Sequence, residues 1–411
     1  MRHHSSQAGR SPVLPLVVLA VLMTSNSWAA TEKVLHNFNP TNGDGYFPQA
    51  GLTFDSAGNL YGTAAKGGSQ VCGADGCGTV FEMTPNSDGT WTETNIHIFQ
   101  SSDGSFPAKP VRFDNAGNLY GSTEEGGHGN QGTVFKLTRA AGTWGISLLH
   151  QFSGGTDGGQ PGAVILDGAG HIYDTTLYGG STTDGVAFML STQPSGSEII
   201  LRTFNSGSDA LNPSSPLTFD AAGNLYGEAN GGSGGFGVIY KLTPNLQHTN
   251  WSETLLHTFL GSDGQAPADG MIFDAVGNLY GETFAGGQYG YGSVFKLSPN
   301  ANGTWTESVL YSFTGGNDGQ DPVGGLVFDH AGNLYGVTAL GGASRFGTVF
   351  ELSLSGGQWS ETVLYAFTGA ADGGQPFGGL AIDSAGNLYG TTSVGGLRSY
   401  GQAGVVFEIT P

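Results

Sequence analysis

Asp329-His330-Ala331-Gly332-Asn333-Leu334-Tyr335-Gly336 belongs to a string that recurs in close variants along the chain, with its tyrosine at Tyr61, Tyr120, Tyr173, Tyr226, Tyr280, Tyr335 and Tyr389. The tyrosines lie 53 to 59 residues apart. A fixed period of this length decides the fold before any element-by-element reading. Around the quoted copy, Gly325 to Asp329 reads as a short extended segment, and His330-Ala331-Gly332 as a three-residue hairpin loop with glycine placed for a left-handed conformation. A second strand runs from Asn333 to Thr338, and Gly341-Gly342 opens a loop on the opposite side. Gly347 to Ser353 alternates into a third strand, and Trp359 to Phe367 makes a fourth. No segment carries a helical 3.6-residue stripe. Four antiparallel strands per repeat, seven times over, predict an all-β, seven-bladed β-propeller.

The two ends of the repeat array predict how the ring closes. The last copy stops after its third strand, Gly404 to Thr410, whereas Lys33-Val34-Leu35-His36-Asn37-Phe38 matches the fourth-strand pattern of Leu255-Leu256-His257-Thr258-Phe259. The N-terminal segment is therefore expected to complete blade seven, leaving no bare strand edge there. Ahead of it, Arg2 and Arg10, an apolar run from Val13 to Met23 and the small-residue segment Ser25 to Ala30 have the form of a signal peptide. The expected layout is a signal peptide over 1–30 and the propeller over 31–411. With no second apolar stretch before Pro411 and no lipid-attachment Cys, a secreted or periplasmic monomer without a membrane span is expected.

The strings Gly332 to Gly336, Gly347 to Phe350, Leu310 to Phe313 and Asp372 to Pro376 resemble the GloVer tandem repeat of bacterial exported proteins described as "choice-of-anchor". The resemblance covers about residues 33 to 411. It implies a secreted or surface protein and carries no activity onto named residues. The chain departs from anchored relatives in showing no C-terminal sorting tail.

Composition narrows the function classes. Glycine supplies 73 of 411 residues but with no three-residue period, which excludes collagen, and 24 Phe, 15 Tyr and 6 Trp argue against disorder. Thirteen Lys and Arg stand against 33 Asp and Glu, and the net charge of -20 repels nucleic acid and anionic membrane. The only cysteines, Cys72 and Cys77, share one glycine-rich loop, and in an exported protein they read as a local disulfide.

Most repeated polar residues read as architecture. Asp55, Asp114, Asp167, Asp220, Asp274, Asp329 and Asp383 end the first strand of each blade, where a carboxylate accepts the amide hydrogens of the turn that follows. A second column, Asp44, Asp103, Asp157, Asp209, Asp263, Asp318 and Asp372, stands four residues before a proline in each connection between blades. Turn stabilisation is the first reading there, with calcium at Asp157, Asp318 and Asp372 as the alternative cofactor site. His36, His97, His150 and His257 share one fourth-strand column with Arg202, Tyr311 and Tyr365, and are expected to lie too far apart to hold one ion together. Trp91, Trp144, Trp251, Trp305 and Trp359 open fourth strands and read as packing.

Departures from the repeat concentrate in the loop between second and third strands, where function is expected. The candidate binding residues are Glu124, Glu125, His128, Tyr178, Asp184, Phe284, Tyr289, Tyr291, Arg345, Phe346, Arg398 and Tyr400, with Lys66 and Phe236 in the same loops. Exposed rings beside polar groups suit a glycan or a peptide, so the leading expectation is a non-catalytic binding module. The bland alternative is that these rings pack the loops onto one another. Glu228 and Glu282 occupy one column in adjacent blades, and paired carboxylates raise a second alternative, a carbohydrate-active enzyme. A structural envelope component is the third.

Overall fold

The computed structural model describes residues 1, 30–191, 197–205, 210–213, 215–232, 234–246, 250–400 and 402–411, with the side chains of Ala268 and Tyr400 excepted. The expected signal peptide and Asp209 therefore fall essentially outside the described residues. Seven antiparallel blade sheets follow in chain order, with a separate two-stranded ribbon of Gly45–Tyr46 and Lys66–Gly67 beside them. Blade six shows the full pattern: Gln320–Phe328, Leu334–Leu340, Thr348–Ser355 and Gln358–Ala366. Its innermost strand starts five residues before the predicted Gly325, because Gln320 to Val323 also pairs with the second strand ahead of a bulge. In blade one the innermost strand shrinks to Thr53–Phe54, and in blade three it divides into Gly159–Pro161 and Ile165–Leu166. The ring closes as expected, with Thr31–Asn37 lying antiparallel to Val405–Thr410.

The core lies between blades. A phenylalanine just after each fourth strand meets, edge to face, an aromatic ring on the third strand of the next blade: Phe38 with Phe81, Phe99 with Phe135, Phe152 with Phe188, Phe204 with Tyr240, Phe259 with Phe295, Phe313 with Phe350 and Phe367 with Phe407. Ring centroids stand 5.0 to 5.3 Å apart, a geometry that adds about 0.5–1.5 kcal/mol per pair beyond the area buried. The glycine after the repeat tyrosine makes room for the third-strand ring, since a Cβ on Gly336 would sit 2.5 Å from Phe350.

The same third strand holds the following blade. Gly292 has φ +95°, and a Cβ there would lie 2.3 Å from Pro322 Cδ. The residue before each repeat proline turns into the left-handed region, from Phe47 at φ 60° to Gln375 at φ 53°. That turn sends its N–H back to the preceding blade: Asp321 N donates to Tyr291 O at 3.1 Å and Gln375 N to Phe346 O at 2.7 Å.

The repeat aspartates brace the hairpins. Asp329 Oδ1 accepts from Ala331 N at 2.8 Å and Asn333 N at 2.9 Å, while Oδ2 accepts from Asn333 Nδ2 and from the Tyr335 hydroxyl. Tyrosine-to-aspartate bonds of 3.0 to 3.2 Å recur in all seven blades. Burial works against these carboxylates, but the converging donors outweigh it and hold Asp329 below the usual carboxylate range. The tryptophans pack as expected, for example Trp359 against Tyr280.

At the outer rim, the second aspartate column pairs with the His/Tyr column of its own junction. Tyr311 donates to Asp318 Oδ2 at 3.0 Å, Tyr365 to Asp372 Oδ2 at 3.1 Å, and His36 Nε2 faces Asp44 Oδ2 at 3.0 Å. A glutamate near the start of the next blade's outer strand adds a second carboxylate at most junctions. Burial, then the neighbouring aspartate, pushes Glu198 to about 8 beside Asp157, and Glu361 and Glu32 to about 7 beside Asp318 and Asp372.

Two outcomes follow from this packing. Phe38→Ala should cost about 3–5 kcal/mol in urea denaturation, as much as Phe313→Ala at an internal junction; a silent Phe38→Ala would mean that the closing strand is not part of the core. The raised glutamates carry protons in the folded state that the unfolded chain has already lost, so their contribution is full below about pH 4.5 and disappears as pH rises through 7 to 8. The melting midpoint should therefore fall between pH 5 and pH 8 at fixed ionic strength. Glu361→Gln should raise it at pH 8 and leave it nearly unchanged at pH 5.

Candidate functional site

The second-to-third-strand loops and the connections between blades share one face. Gly45–Tyr46 pairs with Lys66–Gly67, and bridges join Ser105 to Glu125, Leu211 to Gly231 and Gly374 to Val394. On this face the candidate residues divide by environment. Glu125, His128, Arg345 and Arg398 are exposed, as are Phe284, Tyr289 and Tyr291, with Tyr289 the most accessible of the three at 52%. The rings of Tyr291 and Phe346 lie against Gly315 and Gly369 beyond their own outer strands, as Phe236 lies against Gly261. Tyr178 donates to Gln131 Oε1, and the Asp184 carbonyl accepts from Asn212 N at 3.0 Å. Lys66 pairs with Asp75 at 3.3 Å in the loop closed by the Cys72–Cys77 disulfide. Tyr400's side chain lies outside the described residues, although its backbone ends a short 3-10 turn, Arg398–Tyr400.

Glu228 and Glu282 are wholly buried on second strands. Glu228 Oε2 accepts from Gly270 N at 2.9 Å and Glu282 Oε2 from Gly325 N at 3.1 Å, each reaching the first strand of the next blade. Thr63, Ser122, Thr175 and Thr391 occupy the same column and donate to Lys109 O, Gly162 O, Pro213 O and Ala50 O. The column is thus a set of ties between blades, in which two members are carboxyls. Burial raises Glu228 to about 8 and Glu282 well above its usual range, which favours the protonated form of both. Neither lines the central cavity.

Asp157, Asp318 and Asp372, the candidate calcium ligands, cap their own turns. Asp318 Oδ1 accepts from Thr314 Oγ1 at 2.6 Å and Gly316 N at 3.2 Å, and Oδ2 from Thr314 N at 2.8 Å as well as Tyr311. Donors meet both oxygens, an arrangement that suits a turn rather than a shell of oxygens converging on Ca²⁺.

The innermost strands of all seven blades enclose a cavity of about 590 Å³ whose lining reaches the loop face at Phe106 and Glu124. This is within the usual size range of small-molecule sites. Apolar side chains and glycine backbone make up most of the wall, and four charged residues interrupt it: Lys109, Arg112, Glu124 and Asp269. Lys109 Nζ pairs with Glu124 Oε1 at 3.3 Å. Asp269, at φ 68°, accepts from Gly324 N at 2.9 Å and donates its own N–H to Ser215. Arg112 donates to Thr53 Oγ1 at 3.2 Å but makes no ion pair among the described residues, and burial alone lowers its pKa. The sequence pattern did not single out Lys109 or Arg112. Arg112 shares its column with Thr53, Thr218 and apolar residues, and Lys109 shares its column with glycine, alanine, Ser215 and Asp269, so neither column reads as a basic site, and only ring closure turns both toward a common space.

Comparison with known proteins agrees with this architecture. The Gloeobacter/Verrucomicrobia repeat matches over residues 21–143, 70–252 and 228–411. Among solved structures, the extracellular domain of a putative one component system from B. thetaiotaomicron superposes with a TM-score of 0.55 at 12% identity, covering 92% of this chain and 42% of that one. The present chain thus spans less than half of that protein, and the likeness is one of fold. No curated protein sequence matches this chain. The seven-bladed ring is built from repeats of one kind along nearly its whole length, and the chain belongs to the Gloeobacter/Verrucomicrobia repeat family.

Proposed function

We propose that this is an exported, monomeric binding module that takes a carboxylate-bearing glycan or peptide on its loop face, with the acid group lodged in the central cavity. Arg112 is the observation that supports this reading. In a chain of net charge -20, a half-buried guanidinium without a carboxylate partner faces the cavity, beside Lys109. Leaving such a group without a counterion is costly, and an entering anion relieves the cost with charge-assisted hydrogen bonds. The exposed Tyr289 and Phe284 offer flat surface for the rest of the ligand. Export is supported by the apolar leader followed by small residues and by the disulfide.

A screen of uronic-acid oligomers and acidic peptides against neutral counterparts tests the proposal. Acidic members should bind, and Arg112→Gln should weaken them about 10-fold or more, the loss of one charge-assisted contact. Equal binding of neutral and acidic members would overturn the role of Arg112. Tyr289→Ala should weaken binding while leaving the melting midpoint unchanged, because an exposed ring contributes little to the core.

A further inference from the structure

Three rim junctions bring a histidine to an aspartate and a glutamate: at one, His150 Nε2 stands 3.6 Å from Asp157 and 3.9 Å from Glu198, and at the other two all three groups converge on one space. At the junction of blades seven and one, His36, Asp44 and Glu93 each direct one ligand-type atom into a space where all lie within 4.8 Å of one another. His257, Asp263 and Glu307 do the same between blades four and five, and among the described residues these are the only such groups. The first is well sheltered. Asp44 is only 5% exposed, and its Oδ1, like Glu93 Oε1, is shielded from water without a hydrogen-bond partner. Asp44 Oδ2 is already engaged by His36 Nε2 at 3.0 Å and Asn39 N at 3.1 Å. At the second junction Asp263 Oδ2 faces His257 Nε2 at 3.0 Å, and Glu307 Oε1 is shielded and unpartnered. Both imidazoles are steadied edge-on by the next aromatic, Phe38 at 4.9 Å and Phe259 at 4.8 Å between ring centroids.

Two carboxyl groups brought together in a sheltered space are relieved by a proton, as at the tyrosine junctions, or by a cation, and an imidazole nitrogen in the same space selects the kind of cation. A hard cation such as Ca²⁺ gains little from nitrogen, whereas a first-row divalent ion accepts one nitrogen and two oxygens and neutralises both acids. We propose that His36–Asp44–Glu93 and His257–Asp263–Glu307 are two binding sites for a divalent transition-metal ion of the Zn²⁺ class, with a water completing the shell. Around such an ion, at about 2.0–2.2 Å from each ligand, neighbouring ligand atoms stand about 3.4 Å apart, so only small side-chain movements are needed. The first site has a structural consequence. His36 lies on the closing strand Thr31–Asn37 and Glu93 on the outer strand Trp91–Ile98 of blade one, so a bound ion clasps the closing strand to its neighbour.

The repeat supplies its own controls. Tyr311 and Tyr365 stand in the histidine column and bond the same aspartate, so His36→Tyr and His257→Tyr keep a hydrogen bond that the fold already uses while removing the nitrogen ligand. His97 faces Asp103 at 3.2 Å, but Ile146 stands where the glutamate would be, so His97→Tyr should be silent. Titrating Zn²⁺ into the tag-free, chelator-stripped protein by calorimetry should give two sites per chain. Each of His36→Tyr and His257→Tyr should remove one site, and the double variant both. Zn²⁺ should also raise the melting midpoint, with His36→Tyr removing most of the gain, and Co²⁺ should develop a visible ligand-field band that the double variant lacks. Circular dichroism shows whether each variant is folded. No saturable binding to the folded wild-type protein, or two sites persisting in the folded double variant, would overturn the proposal.

Discussion

The third strand of each blade has to serve two neighbours with four consecutive residues. In blade five, Gly292-Ser293-Val294-Phe295 receives Phe259 of the preceding blade on its ring and Pro322 of the following blade on its glycine. The ring requires depth, and the proline requires that no Cβ stand in its way. These two demands set the distance and direction from one blade to the next, and repeating them seven times closes the circle. The residues before the prolines accept left-handed backbone, at roughly 1–2 kcal/mol each for a non-glycine residue, because only that turn points the N–H at the preceding blade.

Because these contacts define the ring, other columns are free to diverge within limits set by burial. The tie between second and first strands is a hydroxyl in four blades and a carboxyl in two, and either satisfies a backbone group of the next blade. Likewise the rim partner of the second aspartate is histidine or tyrosine according to the junction. A residue that looks catalytic in isolation can thus be one solution to a packing problem that its neighbours solve differently. Conversely, a junction that combines histidine with two carboxylates offers a nitrogen ligand atom that the tyrosine junctions lack.

The central cavity shows the same logic from the inside. Seven first strands bring seven versions of one column to a common axis, so a single substitution in one blade changes the whole cavity. Lys109 and Arg112 both come from blade two, and Asp269 from blade five, yet all face the same space. The wall is otherwise apolar and glycine-rich, so these few charges set its polarity.

The seven-bladed fold, the closure by residues 31 to 38, the turn-bracing aspartates, the packing tryptophans and the local disulfide were all legible in the chain, because each depends on a periodic pattern or a short spacing. The strand limits were less so: Gln320 to Val323 extends blade six inward because a bulge lets pairing resume, which no local pattern announces. The loop aromatics could be read only as exposed or packed, and the structure shows a gradation: Tyr289 is the most exposed, Tyr291 is exposed while one side of it lies against Gly315, and Phe346 is half-buried against Gly369. The site chemistry depended on contacts across blades. Arg112 in the cavity, Glu228 tied to Gly270, and Glu93 brought to Asp44 join residues from different repeats. Sequence determined the repeat because every copy carries the same local pattern, while tertiary structure decided the sites because ring closure alone brings the differences between copies face to face.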